Sequence, residues 1–171
     1  MSLELNTDNS YIRRNGEANL GSVASGTYLG WYFKNDSTNG DDAFSLSISG
    51  NGGVFRTISA TQMRALLSVG GGATFTANNS EWIGLAVTVS SGTFTLYTYQ
   101  AGTLTQQYTE AVSSANVSDL YCGQYGGFYT SARGCHRYQR YWTRVLSTGE
   151  ITSEFQMTPS SGTPAASGTG R

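Results

Sequence analysis

Apolar and polar residues alternate with a period of two through most of this chain. The clearest run is "SEWIGLAVTVS" (80–90), where Ile83, Leu85, Val87 and Val89 fall on one face. "SG" (91–92) turns the chain, and "TFTLYTYQ" (93–100) returns with Phe94 and Leu96 on the inward side. "GTYLGWYFK" (26–34) places Leu29, Trp31 and Phe33 on one face and Tyr28, Gly30 and Tyr32 on the other. A strand so loaded is covered on both sides, or lines a groove with one of them. "DAFSLSIS" (42–49) puts Phe44, Leu46 and Ile48 inward and serines outward; "GNGG" (50–53) reads as a hairpin turn and "VFRTI" (54–58) as its return. "GTLTQQYT" (102–109), "DLYCGQY" (119–125) and "GCHRYQRYW" (134–142) complete the predicted strands.

Two segments break this period. In "SATQMRALLSVGGG" (59–72), Ser59 and Gln62 fit a capping box, Ile58 and Met63 its hydrophobic staple, and Gly70 a stop, which predicts a short helix. In "YWTRVLSTGEI" (141–151), Ser147 and Glu150 form a second S-x-x-E box. Leu146 and Ile151 are placed to staple it, and Phe155 follows one turn later. A helix over roughly 148–156 is expected there. The stretch "PSSGTPAASGTGR" (159–171) reads as a flexible tail or linker behind one domain over 1–158.

Composition agrees with an antiparallel all-β chain: 171 residues with 22 glycines, 2 prolines and only 12% charged residues. The net charge of −1 gives no electrostatic footprint for nucleic acid or an anionic membrane, and no apolar run is long enough for membrane insertion. The N-terminus "MSLELNTDNSYIRR" shows no charged-then-apolar leader, so a chain not exported by that route, or one that has lost its leader, is expected. Cys122 and Cys135 do not have zinc spacing. Free thiols are favoured over a disulfide, because nothing at the N-terminus signals an oxidising compartment.

Several motifs together resemble the concanavalin A-like lectin/glucanase superfamily, in its laminin-G type. "RYWTRVLSTGEI" (140–151) is similar to that group's C-terminal signature of an aromatic strand end, Arg-x-Leu-Ser and Glu-Ile. "EWIGLAVTVSSGTFTLYTYQAGTL" (81–104) resembles its central hairpin, through Trp82, Ala86, Val87, Thr88, Thr93, Thr95, Leu96 and Tyr97. Trp31 and Gly123 stand where the group carries an early strand tryptophan and a strand-ending glycine. The chain departs from the pattern at "YQAG" in place of an Asn-Gly turn, at the segment 60–69, and at His136 and Gln139. The resemblance implies a two-sheet antiparallel jelly-roll sandwich with one or two short helices. Its members include glycan binders, protein binders, adhesion modules and polysaccharide hydrolases.

Catalysis finds little footing in the residues. Glycoside hydrolysis needs two carboxyls facing one bond. Adjacent Asp41 and Asp42 would point oppositely on a strand, and Glu150 is explained as a cap partner. Cys135 and His136 are neighbours on a strand and cannot form a dyad. "NDSTNGDD" (35–42) offers Asp36, Asn39, Asp41 and Asp42 as oxygen ligands for calcium. The same residues are turn formers, and a polar turn is favoured over a calcium site.

Binding chemistry is better represented. "YCGQYGGFYTSARGCHRYQRYW" (121–142) carries seven aromatic residues and three arginines, types that stack on sugar rings and hydrogen-bond their hydroxyls. Alternation places Tyr138, Arg140 and Trp142 on one face of the last strand, with Gln139 and Tyr141 on the other. The loop 124–133, with Tyr125, Phe128, Tyr129 and Arg133, is the preferred contact region. The expectation is a non-catalytic, lectin-like module whose partner is a glycan or a protein surface. The alternatives are a structural or adhesion protein of a viral or phage particle or surface assembly, with self-association, and an atypical polysaccharide hydrolase or lyase.

Overall fold

The alternating runs become strands, and the strands collect into two antiparallel sheets. A computed structural model of the chain describes residues 2–5, 11–14, 25–35, 42–48, 51–66, 71–111, 117–123 and 134–157. In order these are β1 (Ser2–Leu5), β2 (Tyr11–Arg14), β3 (Ser25–Lys34), β4 (Asp42–Ile48), β5 (Asn51–Ser59) and β6 (Gln62–Leu66). There follow β7 (Ala73–Thr76), β8 (Trp82–Ser90), β9 (Thr93–Gln100), β10 (Thr103–Ala111), β11 (Val117–Gly123), β12 (Gly134–Trp142) and α1 (Thr148–Met157).

The first sheet has the order β1-β12-β3-β8-β9-β10, and the second β2-β11-β4-β5-β6-β7. The chain passes repeatedly from one sheet to the other, which is the jelly-roll way of closing a sandwich. Between the sheets, Tyr28, Tyr32, Ile83, Leu85, Val87 and Phe94 meet Phe55, Met63, Ala65 and Phe75. The opposite face of the first sheet is covered as well. Leu29, Trp31, Ala86 and Tyr99 pack there against Leu146, Ile151 and Phe155 around α1. The expectation that β3 is covered on both sides is met, since Gly26–Lys34 are all buried.

Of the segment predicted as a helix over 60–69, the described residues 60–66 instead form the turn and second strand of a hairpin. β6 pairs with β5 in a register that sets Ser59 opposite Gln62 and Val54 opposite Leu66. Met63 and Ala65 are fully buried and alternate with partly or fully exposed neighbours, so a period of two wins over the helical spacing of Met63, Leu66 and Leu67. Ser59 accepts a hydrogen bond from the Thr61 N–H at 3.3 Å, shaping a turn where a helix cap was expected. The turn is tied down by Ala77 and Asn79, whose N–H groups donate to the carbonyls of Thr61 and Ala60. The β4–β5 pairing also shifts: Ile48 stands opposite Asn51, so 51–53, expected in the turn, belong to β5.

The C-terminal helix forms as its signals predict. The Ser147 N–H donates to Glu150 Oε2 at 2.8 Å, and the Glu150 N–H donates back to Ser147 Oγ at 3.3 Å. Arg144 holds the other carboxylate oxygen at 2.7 Å. With Ser147 it brings the Glu150 carboxyl down to about 2. Thr27 fixes the approach to the helix: its hydroxyl donates to the Arg144 carbonyl at 3.0 Å and accepts from the Leu146 N–H at 2.8 Å. Ser147→Ala is expected to cost about 1 kcal/mol, read as a lower urea midpoint at unchanged slope.

Two hairpin turns need left-handed backbone. Ser91 and Gly92 have φ of 46° and 84°, and Ala101 and Gly102 have φ of 48° and 80°. Two successive positive φ angles match the twist of the flanking strands. Alanine is strained in this conformation, by roughly 1–2 kcal/mol. Ala101→Asn is therefore expected to raise the melting temperature by about 2–4 °C, measured by calorimetry.

The only lysine does not reach solvent. Lys34 is fully buried at the end of β3; its Nζ donates to the Ser59 carbonyl at 2.7 Å and to Asn79 Oδ1. The ammonium thus bridges the two sheets at one end of the sandwich.

Candidate binding site at one end of the first sheet

β12 carries most of the residues singled out from sequence, and a bulge decides where they go. Gly134–Arg137 pair with Lys34–Trp31, and Arg140–Trp142 pair with Leu29–Thr27. Tyr138 and Gln139 together therefore stand opposite the single residue Gly30. Tyr138 adopts φ 52°, an uncommon conformation for an aromatic residue, and it is 42% exposed. The alternation expected to group Tyr138, Arg140 and Trp142 is broken at Tyr138. The bulge is an extra residue, and an extra residue interrupts a period of two.

Beyond the bulge, Arg140 and Trp142 lie on the helix side of the sheet. Arg140 Nη1 meets Glu154 Oε2 of α1 at 2.5 Å, and Trp142 packs half-buried against the helix cluster. Gln139 and Tyr141 share a face, as expected, and the bulge makes it the inward one. Tyr141 stacks on Tyr28 with ring centroids 4.7 Å apart. Both Arg140 and Trp142 thus have structural partners.

A different cluster stands at the end of the sheet where β3 stops and β8 and β12 begin. Phe33 is opposite Trp82 in the register, with ring centroids 5.3 Å apart. The Arg137 guanidinium lies over the Trp82 ring, 4.7 Å from its centroid, in a cation–π contact. Trp82 and Arg137 are each half-buried. Sequence reasoning used Trp82 only as a strand opener and left Arg137 out. Their pairing depends on β3, β8 and β12 lying side by side, which no local pattern announces.

Two residues that border the segments proposed from sequence pair at this end. Gly134, which follows the 124–133 segment, stands opposite Lys34, and Lys34 precedes the 35–42 segment. Tyr125, Phe128, Tyr129 and Arg133 lie outside the described residues, as do Asp36, Asn39 and Asp41. Asp42 opens β4 opposite Arg56. Among the described residues no group of three or more histidine, cysteine, aspartate or glutamate side chains is placed to hold a metal ion, and no helix is long and apolar enough to cross a membrane.

Cys135 and His136 project to opposite faces, as alternation requires. Cys135 is a buried thiol opposite Phe33. Cys122 lies on β11 in the other sheet, and its side chain is outside the described set. His136 is 3% exposed, packs against Tyr32 with ring centroids 5.2 Å apart, and is pushed down to about 4 by burial.

No protein-family model and no curated protein matches the sequence. Solved structures do match. A Trypanosoma rangeli sialidase in complex with sialic acid aligns over 92% of this chain with a TM-score of 0.71 at 13% identity. A native heptameric SAP-like pentraxin from Limulus polyphemus aligns over 88% with a TM-score of 0.63 at 16% identity. The binding domain of botulinum neurotoxin serotype G aligns over 92% with a TM-score of 0.63 at 14% identity. This chain spans 79% of the pentraxin chain, 42% of the toxin binding-domain chain and 28% of the sialidase chain. The fold is a concanavalin A-like jelly roll, as the sequence motifs implied.

Proposed function

We propose that this chain is a non-catalytic binding module whose ligand is a glycan. One observation carries the reading: the Arg137 guanidinium lies over the half-buried Trp82 ring at one end of the first sheet, and the next residue along β12 is the exposed Tyr138, in left-handed backbone. An indole and a phenol offer faces for sugar rings, and a guanidinium offers planar donors for their hydroxyls. Backbone strain in an exposed aromatic is the kind of cost retained at ligand sites. The sialidase solved with sialic acid and the toxin binding domain lend support as neighbours in fold. The non-catalytic part is supported by glutamates among the described residues. Glu81, Glu110, Glu150 and Glu154 each bond a structural partner: Asn78, Tyr108, Ser147 with Arg144, and Arg140.

A glycan array, run with and without calcium, tests this with three variants. Trp82→Ala and the Tyr129→Ala, Arg133→Ala pair are expected to lower affinity about tenfold or more. Tyr138→Gly is the sharper probe. It relieves the left-handed strain and should hold or raise stability while weakening binding. Absence of binding in every condition would overturn the glycan reading. It would favour the second one, a self-associating structural or adhesion protein, toward which the heptameric pentraxin neighbour points. Light scattering would then show a defined oligomer.

A further inference from the structure

Every buried side-chain polar atom without a hydrogen-bond partner among the described residues belongs to one patch. The atoms are the Tyr28 and Tyr141 hydroxyls, Gln139 Oε1, and both ring nitrogens of His136. Native interiors leave few such atoms, and each calls for a cause. Here they occupy three successive inward-facing positions along the β3–β12 pair. Tyr28 is opposite Tyr141, Gly30 faces the bulge that carries Gln139, and Tyr32 is opposite His136.

The patch is built. Gln139 Nε2 donates to the carbonyls of Trp31 at 3.5 Å and Arg137 at 3.4 Å, which fixes the amide with Oε1 as its free end. Gly30 leaves room for it: a Cβ there would overlap Gln139 Nε2, and the amide would have to move aside. Tyr28 is fully buried and His136 is 3% exposed. β1 pairs only with Gly134–Arg137 of β12, so Gln139 and Tyr141 stand past the end of that pairing, and each is half-buried.

The chemistry selects the guest. Gln139 Oε1 only accepts, a neutral imidazole offers one donor and one acceptor, and each phenol does both. A guest must donate and accept at once, as a hydroxyl does. The four side chains that carry these atoms, with Tyr32, have no formal charge near neutral pH, and the one charge on this face of β3 among the described residues, the Lys34 ammonium at its end, is bonded to the Ser59 carbonyl and Asn79. Burial, then the charge and the hydroxyl contact of Tyr141, raise the Tyr28 phenol further from ionisation, so these two hydroxyls also lie within reach of each other. An ion would find no opposite charge here among the described residues.

We propose that the inner face of the β3–β12 pair is an internal site for neutral hydroxyl groups, either of a sugar or polyol or of ordered water. It lies on the other face of the sheet from Trp82 and does not depend on glycan binding there.

Crystals of the whole chain, grown without additive and soaked separately with glucose and galactose, would separate the sources. Ordered sugar within hydrogen-bond reach of Tyr28 Oη, Tyr141 Oη, Gln139 Oε1 or His136 supports the site and names a sugar. Water alone, bridging at least two of those atoms in every crystal, supports it and names water. Conservative variants give a second readout. With a guest in place, Tyr28→Phe and Tyr141→Phe each lower the melting temperature by several degrees, because the guest loses a partner. Empty density at those atoms in every crystal would overturn the proposal, whatever the melting temperatures, since loss of the Tyr28–Tyr141 contact alone can lower them. A Trp82→Ala protein should keep the same density, which separates this site from the outer cluster.

Discussion

Phe155→Ala is expected to destabilise the protein by about 3–5 kcal/mol, the largest single effect foreseen here. Phe155 is 1% exposed and fills the seam between α1 and the first sheet. Its ring stacks on Tyr99 at 5.2 Å between centroids and meets Trp31 edge-on, also at 5.2 Å. The three rings form one contiguous aromatic cluster, so truncation removes both the burial of a large ring and two ring contacts. The seam is closed from below by Gly84. A Cβ at that position would lie 2.8 Å from Phe155 Cε1 and 2.8 Å from Tyr99 Cβ. Gly84→Val should therefore lift the helix from the other side and destabilise in the same direction by overpacking. Urea unfolding, followed by fluorescence for Phe155→Ala and Gly84→Val, checks both. A loss below about 1 kcal/mol for Phe155→Ala would mean that α1 is not docked as described.

The second large effect is on pH. His136 is held neutral by burial, at about 4 against an ordinary 6.5. The folded value lies below the unfolded one, so the unfolded chain binds the extra proton first. Stability is full above about 6.5 and falls as the pH drops toward 4, where the folded imidazole finally protonates. Each pH unit in that window costs about 1.4 kcal/mol, giving a total on the order of 3 kcal/mol. Glu150 acts in a lower window. Its carboxyl is held at about 2 against 4.5, so its contribution is lost only between those values. Urea midpoints measured across both ranges separate the two residues. His136→Phe should flatten the upper window and leave the lower one. An unchanged slope in that variant would assign the upper window to another group. The Tyr32 contact is a tilted ring pair, 37° between planes, and an aromatic replacement keeps a ring in that place.

Much of this architecture is written locally. The run Ile83, Leu85, Val87 and Val89 allowed one face and one partner, because a one-residue slip would turn four aliphatics to the outside. The capping box at Ser147 and Glu150, with Leu146 and Ile151 beside it, marks α1 within a few residues, since every interaction it needs is within a single turn. The strand–turn–strand order of 81–104 carried the fold type. Even its departure, Ala101 where an asparagine was expected, kept the same left-handed turn.

Other features depended on residues far apart in the chain. Ser59 and Met63 satisfied helix signals, but the neighbouring strand β7 offers a ladder: Met63 stands opposite Phe75, and both are buried. Sheet pairing then outweighed a propensity of a few tenths of a kcal/mol per residue, typical of such choices. The bulge at Tyr138 cannot be seen in "HRYQRYW", because it exists only relative to Gly30 on β3. It moved Tyr138 out of line with Arg140 and Trp142 and turned Gln139 and Tyr141 inward beside Tyr28. Trp82, Arg137 and Phe33 come from three strands, and their contact follows from the strand order β12-β3-β8. The sequence by itself determined which segments alternate, where the last helix begins and which fold these can build, because those follow from interactions between near neighbours. The tertiary structure alone decided the hairpin at 59–66, the register of β12 and the company kept by its aromatic and polar residues. Each of those is a choice between local alternatives close in energy, settled by burial against a distant strand.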